Sequence, residues 1–121
     1  MATLNAVFVP DYPGSQADDL VDVITTTSNT GPLIIKKYSI FKVVFSIQPG
    51  SAVPAILRFT LGNSVTGAVA PTPDSTAPFL LSNQENIFET NAGIDSINFA
   101  NLVADNGAVT IAYAIIPLLK F

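Results

Sequence analysis

The sequence predicts an all-β fold, an antiparallel β-sandwich or jelly roll of seven to eight short strands. Three observations carry that expectation. Apolar residues recur with period two along most of the chain, which places alternate side chains on opposite faces of a strand. Turn-forming residues break the pattern roughly every 8–12 residues, the spacing of a multi-stranded β domain. No stretch sustains the 3.6-residue period of an amphipathic helix.

Leu20-Val21-Asp22-Val23-Ile24-Thr25-Thr26-Thr27 is β-branched and half alternating, so it reads as the first strand. Leu33 to Gln48 is the strongest segment and too long for one flat strand. Within it Phe41, Val43, Phe45 and Ile47 form a core face, with Ile40, Lys42, Val44 and Ser46 opposite. Pro49-Gly50 signals a turn. Ala55 to Leu61 alternates again, with Leu57, Phe59 and Leu61 on one side, and Gly62-Asn63 closes it.

Val65 to Ala70 reads as a short strand. Pro71-Thr72-Pro73-Asp74-Ser75-Thr76-Ala77-Pro78 reads as a loop, because its three prolines have no amide to donate to a ladder. Phe79–Leu81, Asn86–Thr90 and Ser96–Leu102 follow as short strands. Asp105-Asn106-Gly107 signals a hairpin, since Asn and Gly accept positive φ cheaply. Val109 to Ile115 is the last strand, ended by Pro117. Ser15 to Asp22 has a capping-box look but runs into β-branched residues, so one helical turn is the most it supports.

The 121 residues suit one domain over 1–121, with an N-terminal arm over 1–19 as an option. Hydrophobic residues make up 49% and charged residues 12%, about half the usual charged share, and mean hydropathy is +0.48. Sparse charge on a small domain points to a surface covered by neighbours. The net charge of −4 argues against nucleic acid, which needs clustered cations. Asp11, Asp18, Asp19 and Asp22 precede a basic block of Lys36, Lys37, Lys42 and Arg58, and only acids run from Asp74 to Asp105. Such blocks suit either solvated faces or complementary contacts between copies.

The chain has no Cys and no His, which removes the Ser-His-Asp triad, the thiol nucleophile and the ordinary zinc site. Glu85 and Glu89, the only glutamates, would lie roughly 13 Å apart on an extended strand. That is beyond the roughly 5–9.5 Å of a glycosidase pair. Asp18, Asp19 and Asp22 lack the spacing of a calcium loop. The expectation is therefore no catalytic residue, no cofactor and no metal. Ala108 to Leu119 is too short and interrupted to span a bilayer, and the first residues lack a secretory pattern. A protein made in the cytoplasm and used without processing is expected, with no membrane partner.

Lys36 and Lys42 share one side of an alternating strand and could touch an anionic partner, and Tyr12 and Tyr38 could stack on a sugar. The apolar ends stand out more. Val7, Phe8 and Val9 precede Tyr12, and Leu118, Leu119 and Phe121 follow the last strand. Leaving such side chains in water forfeits about 1.5–3 kcal/mol each. These seven residues are the expected interface, unless they fold back on their own core.

Leu80 to Thr90, then Gly93-Ile94-Asp95-Ser96-Ile97-Asn98-Phe99, then Gly107 to Tyr113 form a polar lead-in, a strand, a "G-x-D-x-I" strand and a Gly-initiated edge strand. In these segments, about a third of the chain, the sequence resembles small β-sandwich decoration (cement) proteins of tailed-bacteriophage capsids. The resemblance implies a virion structural protein on the capsid surface, a homotrimer that clamps adjacent major capsid protein subunits. It carries no specific functional residue across, and the first third of the chain has no counterpart. A fibre, baseplate or receptor-binding module, gripping glycan, is the alternative, followed by an adhesin or lectin outside viruses.

Overall fold

The computed structural model describes residues 20–35, 38–50, 52–63, 68–90 and 94–120. The chain is mostly strand, arranged in two antiparallel sheets. In order along the chain the strands are β1 (Leu20–Thr25), β2 (Ser28–Asn29), β3 (Leu33–Ile34), β4 (Tyr38–Gln48) and β5 (Ile56–Asn63). They continue as β6 (Phe79–Leu81), β7 (Asn86–Glu89), β8 (Ile94–Asn101) and β9 (Thr110–Lys120), with α1 (Val103–Asn106) between the last two. The first sheet has the order β1-β9-β4-β7 and the second β2-β8-β5-β6, with β3 also on β8.

The pairings are nested. β1 pairs with β9, β2 and β3 with β8, β4 with β7, and β5 with β6, all antiparallel. Two further ladders, β4–β9 and β5–β8, close the sheets. The two sheets share one core. Ile24, Phe41, Val43, Phe45, Ile111, Tyr113 and Ile115 enter it from the first, and Leu57, Ile97 and Phe99 from the second. Ring contacts cross between the sheets: Phe99 lies 5.5 Å from Tyr113 and Phe59 meets Phe88 edge-on at 5.4 Å. Such tilted and edge-to-face pairs add to the burial of the rings.

The alternation in β4 holds, since Phe41, Val43 and Phe45 are buried and Ile47 packs against the core margin. In β5, Leu57 is buried and Phe59 packs on the core, but Leu61 is exposed. A register shift between Gly62 and Asn63 marks where that strand departs from its partner. Gly62 sits under the chain at Val69–Ala70, and a Cβ there would strike Ser96 Oγ and the Ala70 amide nitrogen. The same crossing is pinned by the Ala70 amide donating to Ser96 Oγ at 3.2 Å and by Asn98 Nδ2 donating to the Ala70 carbonyl at 3.3 Å.

Leu33–Gln48, too long for one flat strand, is divided into β3 and β4 as expected. Several other expectations change. Val65–Ala70 lies partly outside the described residues, and Ala68 makes only an isolated bridge with Asn63. Asp105-Asn106-Gly107 is not a hairpin, because β8 and β9 belong to different sheets and α1 joins them. Gly107 does adopt the positive φ (71°) that the motif suggested, but as a helix C-cap whose amide bonds the Val103 carbonyl. Of the helical candidate Ser15–Asp22, Leu20–Asp22 are strand and the rest lies outside the described residues.

Pro117 does not end the last strand either. β9 runs through it to Lys120. The ladder with β4 shifts there, so that Phe41 faces Pro117 and Ile40 faces Leu119, with Leu118 the extra residue. A bulge is where a strand tolerates a proline without loss of a ladder bond.

Candidate functional site

Two surfaces emerge. The first is the far face of the β1-β9-β4-β7 sheet. Because Phe41, Val43 and Phe45 point into the core, Ile40, Lys42, Val44 and Ser46 lie on the opposite side of β4. The register carries this side outward to Ile87 and Glu89 of β7 and inward to Ala112, Ala114 and Ile116 of β9, then to Val21 and Val23 of β1. Lys42 and Glu89 are the only charges among those described residues. Ala112, Ala114 and Ile116 in its middle are buried, and Val23 (39%), Ile87 (49%) and Leu119 (53%) are its exposed apolar members.

The bulge in β9 explains the position of the C-terminal leucines. A bulge re-aims side chains, and here Leu119 joins the far face beside Ile40 while Leu118 is left 36% exposed. Of the seven expected interface residues, Leu118 and Leu119 are therefore placed on the surface. Val7, Phe8, Val9, Tyr12 and Phe121 lie outside the described residues, as do Lys36, Lys37, Asp18 and Asp19. For Tyr38 only the backbone is described, opposite Lys120. Glu85, just before β7, and Glu89, its last residue, are both exposed. No group of three or more metal-ligating side chains occurs among the described residues.

The charge blocks meet inside the chain. Arg58 of β5 donates from Nε and Nη2 to both carboxylate oxygens of Asp105 in α1, each at 3.0 Å. Its Nη1 donates to the Ala77 carbonyl at 2.8 Å, and the guanidinium lies 4.9 Å from the centre of the Phe79 ring. The carboxylate hydrogen bond holds the Arg58 pKa above its usual value.

The second surface is a cleft of about 240 Å³ at one edge of the two sheets, between β1 and the segment Ser28–Leu33. Its rim includes Thr25, Ser28, Asn29 and Thr30, from the polar run 25–30 that turns the chain from one sheet to the other. Thr27 adopts a positive φ of 67° there, and its amide bonds the Asn101 carbonyl at 2.8 Å. Asn29 Oδ1 accepts from the Gly31 amide at 2.8 Å, and Thr30 Oγ1 accepts from the Phe99 amide at 3.1 Å. These bonds hold the turn in one conformation.

Asp22 and Tyr113, neighbours across the β1–β9 ladder, form the other wall with Ile24. Asp22 Oδ1 accepts from the Val23 amide at 2.8 Å. Tyr113 is 3% exposed, and its hydroxyl has no hydrogen-bond partner among the described residues. Burial, and secondarily the Asp22 carboxylate, push the Tyr113 phenol up to about 12 from 10.0. Below pH 10 folded and unfolded chains both hold this proton. Between pH 10 and 12 the unfolded chain releases it and the folded chain keeps it, so stability falls as pH rises, by up to about 2–3 kcal/mol. Urea unfolding midpoints across that window are expected to drop for the native sequence and to drop less for Tyr113→Phe.

Nothing in the sequence reading pointed to this cleft. Its two signals are a six-residue hydroxyl and amide run that starts at the last residue of β1 and a single phenol within the apolar stretch Ile111–Ile116. Comparisons with protein-family models, with curated proteins and with solved structures find no match for this chain.

Proposed function

We propose that the chain is a jelly-roll β-sandwich that works as a non-enzymatic structural protein, a capsid decoration protein that trimerises and clamps adjacent major capsid subunits on the surface of a virion. The nested pairing supports the jelly-roll reading, because it is one long antiparallel ribbon wound into two sheets. The far face of the first sheet carries the functional reading. It is a four-stranded face, apolar among its described residues apart from Lys42, Glu89, Gln48 and a few hydroxyls; its middle, at Ala112, Ala114 and Ile116, is buried, and apolar area stays exposed at its margins, Val23, Ile87 and Leu119. A surface of that composition is the material of an obligate interface. The segments that resemble decoration proteins fall on β6 to β9, which include two of the four strands of this face.

Light scattering from the purified protein tests this. A particle of three times the 12.7 kDa chain mass is expected. Leu119→Glu combined with Ile87→Lys should dissociate it, since each apolar side chain withdrawn from an interface forfeits about 1.5–3 kcal/mol. Val53→Glu, a change at a 69% exposed position outside the sheets, should leave the mass unchanged. A native protein that stays monomeric at about 100 μM, where even a micromolar interface is well populated, overturns the reading.

A further inference from the structure

We propose that the cleft between β1 and Ser28–Leu33 binds a single neutral sugar ring, with the Tyr113 hydroxyl and the Asp22 carboxylate as its principal contacts. The reading rests on the cleft alone and is independent of the assembly. Tyr113 lines the cleft, is 3% exposed, and has a hydroxyl that no group of the described residues engages. A buried hydroxyl left unpaired costs about 1–3 kcal/mol, and no described residue offsets that cost for Tyr113, which suits the phenol to an outside partner.

The other polar groups set the chemistry of that partner. Asp22 uses one carboxylate oxygen on the Val23 amide, which leaves the second as an acceptor. Asn29 uses its carbonyl oxygen on the Gly31 amide, which leaves its NH₂ as a donor. A donor, an acceptor and a second donor around one small space match a ligand whose every hydroxyl both gives and takes a hydrogen bond. Adjacent sugar hydroxyls do so. Val23, Ile24 and Leu33 supply apolar wall for the C–H edges of a ring.

Competing ligands fit less well. The described lining residues include no Lys or Arg, and Asp22 repels anions. A hard divalent cation takes about 6–8 oxygens, and the described lining residues offer one carboxylate, beside a phenol that holds its proton at neutral pH. A volume of about 240 Å³ lies below the roughly 300–1,000 Å³ of pockets for larger organic ligands, which limits the occupant to one ring.

The test is a titration of ¹⁵N-labelled protein with methyl glycosides of glucose, galactose, mannose and N-acetylglucosamine, followed by amide shifts. At least one sugar is expected to give saturable shifts at millimolar concentration, centred on residues 22–30 and Tyr113. Loss of one hydrogen bond in Tyr113→Phe, and loss of the charge in Asp22→Asn, should each weaken binding roughly tenfold. Tyr113→Phe removes one oxygen atom and Asp22 is exposed, so amide dispersion should stay native in both. Absence of saturable shifts with all four sugars overturns the proposal. So do shifts that neither substitution weakens, and so does calcium chloride moving the same amides when no sugar does. A monomeric mass would sink the assembly reading and leave this titration intact.

Discussion

Phe99→Ala is expected to lower the unfolding free energy by about 3–5 kcal/mol, the range for removing a buried aromatic ring. Phe99 is fully buried in β8 and is one of the rings through which the second sheet meets the first, 5.5 Å from Tyr113. Its strand is central, paired with β5 on one side and with β2 and β3 on the other, so the backbone has little freedom to collapse into the space left. Urea denaturation should show the midpoint falling with the slope nearly unchanged. Thermal melting should drop by more than about 10 °C. Val103→Ala, at a 51% exposed position away from the far face of the first sheet, should change stability by no more than about 0.5 kcal/mol and so separates core packing from loss of apolar surface in general.

Asp105→Ala is expected to cost about 2–4 kcal/mol, the second largest effect. The Arg58 and Asp105 side chains are only 15% and 6% exposed, and the pair is bidentate. Breaking one side of a buried pair strands the charge of the other, which is why such truncations exceed the small value of surface ion pairs. Arg58 would keep Ala77 and Phe79, which holds the loss below that of a fully isolated charge. The reverse truncation, Arg58→Met, removes the stranded cation and keeps an apolar stem. A double-mutant cycle of Asp105→Ala and Arg58→Met should therefore return a coupling energy well above about 1 kcal/mol. Coupling near zero, measured from urea midpoints, would contradict the buried-clasp account.

Asn106 reinforces the same corner. Its Nδ2 donates to the Ile56 carbonyl at 2.7 Å and its Oδ1 accepts from the Ile56 amide at 2.9 Å, so the side chain docks on β5 as another strand would. Asn101, fully buried, donates from Nδ2 to the Ile24 and Val109 carbonyls and accepts from Asn106. α1, too short to stand alone, is held by these side-chain bonds.

Local periodicity made much of this fold legible. The core face of β4, the alternation at the start of β5, the proline loop before β6 and the strands β6 to β8 follow from side-chain period and turn chemistry alone. What period cannot supply is partnership. Asp105-Asn106-Gly107 carries the residues of a tight turn, but whether the flanking strands pair or part depends on contacts far off in the chain, here with Ile56 and Arg58. Pro117 reads locally as a stop, and only the register against Phe41 shows the slack that admits it. The Arg58–Asp105 pair was likewise hidden in blocks of charge that suit solvent or a neighbouring copy equally well.

The surfaces divide in the same way. Leu118 and Leu119 stood out because apolar residues beyond a presumed final strand are conspicuous. The cleft did not, because Asp22, Asn29 and Tyr113 are each ordinary in their local setting and become a set only when β9 lies beside β1 and β2 lies against β8.

The order in which the ladders can close follows from the winding. The innermost pair, β5 with β6, joins nearby parts of the chain, whereas Leu20 waits for Ile115. Loop-closure entropy therefore favours zipping outward from the middle, and a topology with so many distant partners reaches its native state on the slow side, in milliseconds to seconds. β1 is the last strand to be captured and, bound along one edge only among the described residues, the easiest to peel away. During synthesis the β5–β6 centre can form while β9 is still to come, so β1 must remain unpaired until its partner leaves the ribosome.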